Sequence, residues 1–543
     1  YAKAYSKEKT REQKQRISYN MAECYRYIGQ CKKAASYYKR TNKLGSDESS
    51  LIRYAEMLIC QGEFKEAVKV YEDFIKSFPN NPSGSLGLTS CLLALEISKD
   101  PCPKFIVEEK APELKSWNSD KAELGITFVP AKGQNEVYIS SMNDKSTGKK
   151  EDGWTGQRFS DIFYAKSLKP VRSKKIKDGS TEDQDLTYDE LTPLENELIN
   201  TRDHEGVVSF ASRGKRMFFT RCMNVKNVQL GCSIWEAKKV GQDWGNPTQV
   251  QLNFDSTASL GHPFATEDGK TLYFAGDIGS GKDIYVVKQN KRRQWGNPIR
   301  LSSIVNTDGD EIHPSIEDGY LYFSSDTHPG LGGYDIFRVR LDRDGLPIGD
   351  VENLGININS TADDLSVRWD PREKLKSKIG YVISNRDNRK GSFDFYKIRE
   401  VTFTTTYKQL VLNRKTGKPL ADSKVVISDK KGDSYEFVTD DEGYFTTVSD
   451  KNVKDTTHYK VNVSKKKFLN AQYDIYNDWD CSKFIAADKE KPWQLSRVIL
   501  KPAPEALFLD PIEVPIVLPN VFFDLAKSEL REESKIALDT VFS

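Results

Sequence analysis

A short pattern of apolar and polar positions repeats through the middle of this chain. Residues 312–339 show it best: a strand-like segment reaches an Asp-Gly turn, an apolar Leu-Tyr-Phe run follows, and a glycine-containing polar loop leads to Asp-Ile-Phe. Residues 261–287 repeat that order, and weaker copies lie at 124–166, 204–238 and 363–398. Repeated short strands separated by turns predict small antiparallel sheets arranged radially, as the blades of a β-propeller.

Each predicted blade holds about four short strands. Two further repeated segments, Trp244-Gly245-Asn246-Pro247 and Trp295-Gly296-Asn297-Pro298, each precede a strand-like stretch. The copies resemble the Tol-B-type branch of the WD-repeat-like propellers, whose repeats carry a proline, then Asp-Gly, then an aromatic strand ending in small polar residues. Five copies predict five blades, and a sixth, degenerate blade around 113–123 and 399–410 is left open. The basic stretch 169–187 is interpreted as an excursion from the second blade.

The first hundred residues follow a helical pattern instead. Apolar and small residues recur at helical spacing on both sides of Gly29 and Gly62, and Ala34 and Ala67 repeat at the same offset, close to the ~34-residue period of tetratricopeptide repeats. This region resembles the tetratricopeptide family, which implies pairs of antiparallel helices joined by glycine turns. Two full repeats are expected, preceded by the tail of an earlier repeat and followed by a closing helix over 83–98.

Residues 401–501 return to a strand pattern. The segments 416–420, 425–427 and 439–445 resemble the carboxypeptidase-regulatory-like module, which implies a small, non-catalytic β-sandwich. Five prolines between 502 and 519 predict a stiff linker. The segment 521–539 then resembles the opening of an OmpA-like peptidoglycan-binding module, whose ligand-binding aspartate and arginine lie further along, so we expect the chain to be truncated within that module.

The predicted fold class is therefore a multidomain α+β protein with helical repeats, a propeller, a sandwich and the start of an α/β module. The predicted domains are 1–112 for the tetratricopeptide-like helices and linker, 113–400 for the propeller, 401–501 for the sandwich, 502–520 for the proline-rich linker and 521–543 for the OmpA-like start.

Composition narrows the function. With 81 basic and 79 acidic residues the formal charge is +2, which argues against a nucleic-acid partner. No apolar run approaches the ~18 residues of a membrane-spanning helix, so a membrane contact is expected only through an N-terminal lipid anchor outside this chain. The eight cysteines form no CxxC pair. Cys222 and Cys232 flank one predicted loop, which suits either a disulfide across a hairpin or two buried thiols.

Histidines offer one candidate metal site. His262 and His313 occupy the same place in adjacent repeats, each before a proline, and His204 sits near the corresponding point of the repeat before. Inner strands of neighbouring blades approach one another around the axis, so a metal or ligand site in the channel is one interpretation. A residue repeated in a repeat protein more often serves packing, and no metal ligand is predicted.

Two loop motifs imitate nucleotide and calcium sites. The segment 276–283 has the glycine spacing and lysine of a P-loop, but Asp283 replaces the Ser/Thr and a strand follows instead of a helix. The acidic segments 308–311 and 342–345 lack the distal glutamate of a calcium loop and are interpreted as hairpin turns. No nucleophile elbow or HExxH motif occurs. We therefore predict no catalytic residue and no cofactor, and binding residues stay unidentified.

The order of the predicted domains resembles that of OmpA-family proteins from bacteria with the type IX secretion and gliding apparatus. The resemblance implies a non-catalytic scaffold in the periplasm, associated with the outer membrane and often lipid-anchored. It would link other protein subunits of a secretion or gliding complex to peptidoglycan. The alternatives are a ligand- or metal-binding propeller sensor and, less favoured, a propeller-gated hydrolase, for which no segment supplies the α/β domain of ~200 residues.

Overall fold

The chain divides at Val401 into two units, Tyr1–Val401 and Thr402–Ser543. The computed structural model describes residues 1–99, 102–108, 111, 113–129, 136–147, 151, 156–167, 188–225, 228–255, 257–371, 378–386, 392–428, 434–449, 458–476, 484–486, 494–500, 506–512 and 534–535. The predicted excursion at 169–187 lies outside the described residues. So does the OmpA-like segment 521–543, apart from two positions. Among the described residues, no helix combines the length and apolarity needed to cross a membrane.

The first unit begins with helices. Their bounds are α1 Ala2–Lys7, α2 Arg11–Tyr27, α3 Cys31–Leu44, α4 Glu48–Ile59, α5 Phe64–Ser77, α6 Pro82–Ile97 and, before the first sheet, α7 Leu114–Trp117. The polar residues before α2, α4 and α6 cap them: the side chain of Thr10 accepts from Gln13 N, Asp47 forms a capping box with Ser50, and Asn81 accepts from Ser83 N.

The predicted helical repeat is confirmed at its turns and its contacts. Gly29 and Gly62 have φ of +67° and +73°, the left-handed conformation that glycine adopts without strain, and they lie between α2 and α3 and between α4 and α5. Ala34 and Ala67 have no exposed surface. These small side chains allow the two helices of each pair to pack closely.

Five antiparallel sheets follow, one for each predicted repeat. In chain order their strands are β1 Phe105–Val107; β2 Glu123–Phe128, β3 Glu136–Ser141, β4 Asp161–Lys166 and β5 Thr192–Pro193; β6 His204–Ala211, β7 Arg216–Val225, β8 Val228–Val240, β9 Asp243–Trp244 and β10 Thr248–Gln249; β11 Ser259–Ala265, β12 Thr271–Asp277, β13 Lys282–Lys288 and β14 Ile299–Arg300; β15 Glu311–Glu317, β16 Tyr320–Ser325, β17 Asp335–Leu341 and β18 Pro347–Asn353; β19 Asp364–Trp369, β20 Ile379–Ser384 and β21 Asp394–Glu400.

The first strands of the five sheets close a ring. β2 contacts β6, β6 contacts β11, β11 contacts β15, β15 contacts β19, and β19 returns to β2. This is the arrangement of a five-bladed β-propeller. Apolar side chains fill the space between neighbouring blades, as where Ile162 of the first sheet and Phe219 of the second belong to one buried cluster.

Strand β1 completes the fifth sheet by pairing antiparallel with β21. The sequence assigned 105–107 to a linker and left a sixth blade open. In the structure, α7 occupies 114–117, and Thr402–Asn413 belongs to the second unit. The last blade is thus completed by a strand that precedes the first blade in the chain. The two paired strands, β1 and β21, lie nearly three hundred residues apart in the sequence, and their pairing closes the ring.

A buried ion cluster holds the segment after β1 against the fifth sheet. Lys397 Nζ lies 3.0 Å from Glu113 Oε1 and 3.4 Å from Glu108 Oε2, and Tyr381 Oη donates to Glu113 over 2.8 Å. Lys397 and Glu113 are almost fully buried. The cluster thus joins the segment after β1 to the fifth sheet through two buried cations, since Arg399 also pairs with Glu108.

The second unit contains two facing sheets. Its strands are β22 Thr402–Asn413, β23 Lys424–Ser428, β24 Ser434–Val438, β25 Tyr444–Ser449, β26 His458–Ser464, β27 Ala471–Tyr476, β28 Ile485–Ala486, β29 Gln494–Leu500 and β30 Ala506–Leu509. One sheet has the order β25-β22-β29-β28 with β30 also on β22, and the other has the order β24-β23-β26-β27. Val411, Val425 and Leu507 share one buried core between them, so this unit is a β-sandwich. Part of the predicted proline linker is therefore wrong, since 506–509 is a strand parallel to β22.

Candidate functional site

The innermost strand of each blade carries a β-bulge near the propeller axis, and two bulges present the repeated histidines. His262 and His313 have φ of +51° and +53° and are each followed by proline. Their rings stack with centroids 3.9 Å apart and planes 15° from parallel. The sequence prediction that these two residues occupy equivalent positions in adjacent blades is confirmed.

Both imidazoles are held neutral. Burial lowers the pKa of His262 to about 3, and the positive charges of Lys282 and Arg368 add to that effect. Burial likewise lowers the pKa of His313 well below its ordinary value. Burial also lowers the pKa of Arg368 to about 10, and its Nη2 faces the carbonyl of Pro314 at 3.5 Å. The bulges therefore place two neutral rings beside one cation.

This geometry does not suit a metal. The nitrogen lone pairs of an imidazole lie in the ring plane, so two parallel stacked rings do not converge on one ion. Among the described residues, no group of three or more His, Cys, Asp or Glu could hold a metal. His204 lies apart from the pair: its Nδ1 accepts from Ser160 N over 3.1 Å, and its ring meets Phe159 edge-on. The structure thus brings together two of the three candidate histidines and gives the third a packing role.

A second repeated group consists of a buried asparagine that ties four of the five blades to the blade before it. Asn306 accepts from Ile284 N over 2.7 Å and donates to the carbonyls of Ile284 and Leu301, each over 3.0 Å. The same two-way bond to a third-strand residue is made by Asn200 with Ile162, Asn359 with Ile336 and Asn118 with Phe395. The last of these pairs joins the fifth blade to the first, so the ring is closed by the same bond that links its neighbours.

A Ser or Thr follows each of these asparagines, and four residues later comes a buried carboxylate. Thr307 donates its backbone N and its hydroxyl to Glu311 over 2.8 and 2.6 Å. The equivalent pairs are Ser119 with Glu123, Thr201 with Glu205 and Ser360 with Asp364. We call the Asn-Ser/Thr-x-x-x-Glu/Asp unit the blade clamp. The third blade departs from it, because Asp255 and Leu260 stand at its first and last positions.

Burial raises the pKa of the clamp carboxyls. Glu123 is raised to about 8, an effect of burial that the hydrogen bonds from Ser119 oppose and nearby Asp394 reinforces. Glu205 is raised to about 7 by burial, again against its hydrogen bonds. Perturbed carboxyls often mark catalytic sites, but these four carboxylates each accept from their own blade's Ser or Thr and sit at the same point of successive blades. They are structural groups that hold the ends of the inner strands.

The clamp was not predicted, although its signal is present in the sequence. The predicted hairpin turn at 308–311 is wrong: Glu311 is a clamp carboxylate, and Asp310 accepts from Lys282 N over 2.8 Å and from Tyr334 Oη over 3.0 Å. The segment 342–345 is the predicted hairpin, since Asp342 Oδ1 accepts two backbone N–H groups between β17 and β18.

The P-loop-like segment lies in a turn between β12 and β13, and a strand follows its lysine. Lys282 Nζ forms an ion pair with Asp310 of the next blade. No helix N-terminus is present there to hold a phosphate, so the loop serves to link two blades.

The helices and the propeller contact each other within the first unit. Gly330 N donates to Ser90 Oγ of α6, and Thr361 Oγ1 donates to the carbonyl of Cys60 at the end of α4, both over 3.2 Å. Loops of the fourth and fifth blades therefore meet the second helical pair and the closing helix α6. The contact places a helical-repeat surface and a propeller surface on one body.

Two disulfides join pairs of described cysteines, and Cys102 is disulfide-bonded as well. Cys222 and Cys232 are directly opposed on β7 and β8 and form the hairpin disulfide that the sequence left open. Cys31 and Cys60 join the start of α3 to the end of α4. This second bond was missed, although each cysteine lies two residues from a turn glycine of the helical repeat.

Comparison with known proteins supports the helical assignment. The family model of the tetratricopeptide repeat matches residues 49–81. No curated protein matches the chain. Among solved structures, TolB from Acinetobacter baumannii is 14% identical over 52% of this chain and 54% of its own, with a TM-score of 0.27. The chain thus spans about half the length of TolB. The β-fructofuranosidase BmSUC1 of Bombyx mori is 9% identical over 70% of this chain and 89% of its own, TM-score 0.32. A variant of levansucrase from B. subtilis is 12% identical over 56% and 89%, TM-score 0.31.

Proposed function

We propose that this protein is a non-catalytic scaffold of the bacterial envelope. It joins an outer-membrane secretion or gliding complex of the type IX class to peptidoglycan through protein–protein contacts. In this proposal the second unit is a carboxypeptidase-regulatory-like sandwich, and the segment 521–539 begins an OmpA-like anchor.

The observation that carries the proposal is that the helical repeats and the propeller, two kinds of protein-binding domain, contact each other within the first unit. Helical repeats present extended surfaces for other proteins, and here they are bonded to propeller loops through Ser90 and Thr361. The buried carboxylates of the inner strands are engaged by Ser and Thr within their own clamps. These four carboxylates are thus used to hold the inner strands, which favours a binding role over hydrolysis at those positions.

The disulfides support an oxidising compartment. Disulfides persist in the periplasm and outside the cell and are rare in the cytosol. Cys222–Cys232 joins two adjacent strands and Cys31–Cys60 joins two helices, so each disulfide bridges neighbouring elements of its module. This is the expected chemistry of a protein that is exported before it folds.

The compartment is tested by alkylating thiols in intact cells before lysis and mapping the modified cysteines. Cys24 is an exposed free thiol and serves as the internal control for access of the reagent. We expect Cys24 to be modified, and Cys222 and Cys232 to react only after reduction. Modification of Cys222 in unreduced cells would contradict a periplasmic location.

The scaffold role is tested by cross-linking cells that carry a tagged copy of the full-length gene product and purifying it from the envelope fraction. We expect outer-membrane subunits to co-purify and the protein to co-sediment with purified peptidoglycan. Recovery of the protein alone, with no subunit attached and no sedimentation with peptidoglycan, would refute the scaffold.

A further inference from the structure

The solvent face of α3 is uniformly basic. Its exposed positions are Lys32, Lys33, Ser36, Lys39, Arg40 and Lys43. No Asp or Glu occurs between residues 31 and 46. The first 45 residues hold twelve Lys and Arg against three Glu, a formal charge of +9 in a chain whose total is +2. The positive charge is therefore concentrated on this end of the protein.

The next helical pair shows that the fold does not require this charge. The equivalent exposed positions of α5, at the offset that relates Gly29 to Gly62, are Lys65, Glu66, Lys69, Glu72, Asp73 and Lys76. Three are acidic, and Lys76 pairs with Asp73 at 3.2 Å. The α5 face has no net charge, and its acidic and basic side chains lie close enough to pair, as is usual for a solvated helix.

The basic face of α3 is electrostatically costly. Lys39 and Lys43 stand four residues apart, a spacing at which like charges repel. Among the described residues, no ion pair includes a cation of this face, while Lys33 and Arg40 lie over the rings of Tyr25 and Tyr37, each 5.3 Å from the centroid. The positive charge of the α3 face is not balanced by acidic residues of its own helix, so it is available to an anionic partner.

An exposed apolar tip adjoins this face. Tyr27 is 77% exposed and Ile28 51% exposed, in the turn that leads into α3. Tyrosine and aliphatic side chains flanked by Lys and Arg are the groups that settle at the boundary between phospholipid headgroups and acyl chains.

The composition of the face selects the partner. Four of its five cations are lysine, which is depleted at protein–protein interfaces, whereas arginine is enriched there. Clustered lysines bind a diffuse anionic surface through summed point charges, each contributing near an anionic membrane. We propose that the basic face of α3, together with the Tyr27–Ile28 tip, docks on a membrane surface rich in anionic phospholipid. This contact is independent of any lipid anchor and of the envelope-scaffold proposal.

Sedimentation of the full chain with vesicles tests the proposal. We expect binding to vesicles containing phosphatidylglycerol, little binding to vesicles of phosphatidylcholine alone, and weakening as salt is raised. Replacing Lys32, Lys39 and Lys43 by Gln, which keeps helix propensity, is expected to weaken binding on the order of 100-fold.

The matched control carries Lys65→Gln, Lys69→Gln and Lys76→Gln on α5, with the same change in net charge, and is expected to bind as the parent does. Tyr27→Ser with Ile28→Ser is expected to weaken binding on the order of ten-fold. Equal losses from the α3 and α5 variants would overturn the proposal, since binding would then follow total charge. Binding of poly-glutamate without binding of phosphatidylglycerol vesicles would also overturn it, in favour of an acidic protein partner.

Discussion

Replacing one clamp asparagine by alanine is expected to destabilise the junction between two blades, because that single side chain makes several buried hydrogen bonds. Asn306 is 2% exposed and makes three hydrogen bonds to the backbone of the third blade. Asn306→Ala removes the partner of the Ile284 N–H and of the Leu301 carbonyl, whereas the carbonyl of Ile284 still accepts from Leu301 N over 3.0 Å. A typical hydrogen bond contributes about 1 kcal/mol net, and a buried donor left unpaired costs about 1–3 kcal/mol. We therefore expect a loss of about 3 kcal/mol at this junction.

The assay must report on one blade, because a chain of two units does not unfold in a single two-state step. Hydrogen exchange of peptides covering 282–288 and 299–307 measures local opening directly. A loss of about 3 kcal/mol corresponds to exchange on the order of 100-fold faster in both peptides.

The third blade supplies the control. Asp255 stands at the equivalent position but is exposed, and its carboxylate accepts from the N and hydroxyl of Thr257, over 3.0 and 2.9 Å. Asp255→Ala is expected to cost less than ~1 kcal/mol. If both variants changed exchange equally, or if Asn306→Ala changed it less than ~10-fold, the clamp would not be what holds successive blades.

Three further outcomes follow from other parts of the first unit. A Cβ at Gly87 would lie 2.2 Å from the ring of Tyr71. Gly87→Ala should therefore lower the stability of the helical repeats to thermal unfolding by about 1–2 kcal/mol, although alanine has the higher helix propensity. A variant more stable than the parent would contradict this packing. The unfolded chain protonates His262 near pH 6.5 and the folded chain only near pH 3, so the contribution of His262 to blade stability should be full above pH 6.5 and fall as the pH drops toward 3. The double variant His262→Asn/His313→Asn keeps a residue type that tolerates positive φ. It should flatten the dependence of blade stability on pH, as measured by hydrogen exchange at several pH values. An unchanged slope would show that other groups cause the dependence. Lys397→Met should cost about 3–5 kcal/mol in the fifth blade, because it leaves the buried carboxylate of Glu113 without its cation while Glu108 keeps Arg399; exchange of 394–400 at the parental rate would refute that.

Much of the fold could be predicted from local pattern. The repeated order of short strands and turns, with Asp-Gly in the two clearest copies, placed all five blades, because hairpins form between neighbours in sequence and their signals are short-range. The glycines at 29 and 62 placed the helical turns for the same reason. The strands at 105–107 and 506–509 were missed, since each pairs with a partner far along the chain and neither has a periodic signal of its own. Prolines near both segments also argued for linkers.

The candidate chemistry was harder to interpret because it is dispersed. The residues of one clamp bond to a strand of the preceding blade, so its asparagine and carboxylate acquire a role only when the blades are assembled. In the sequence, Asp308–Glu311 has the composition of an ion-binding loop, and the structure shows that Glu311 accepts from hydroxyls of its own blade. Burial then raises the pKa of equivalent carboxyls elsewhere in the ring without any catalytic partner.

Repetition itself separates structural from functional residues in this protein. A polar residue that recurs at the same point of several blades, such as Asn306 or Glu311, is explained by the bond that it makes at each of those junctions. A residue that departs from its own repeat lacks that explanation, because the fold is seen to form without it. The α3 face is such a departure, since α5 keeps the same helix with balanced charge. Function should therefore be sought first where equivalent repeats differ. The lysines of α3 meet that criterion, because the equivalent face of α5 has balanced charge. The stacked histidines at the axis meet it less clearly, because two blades share them.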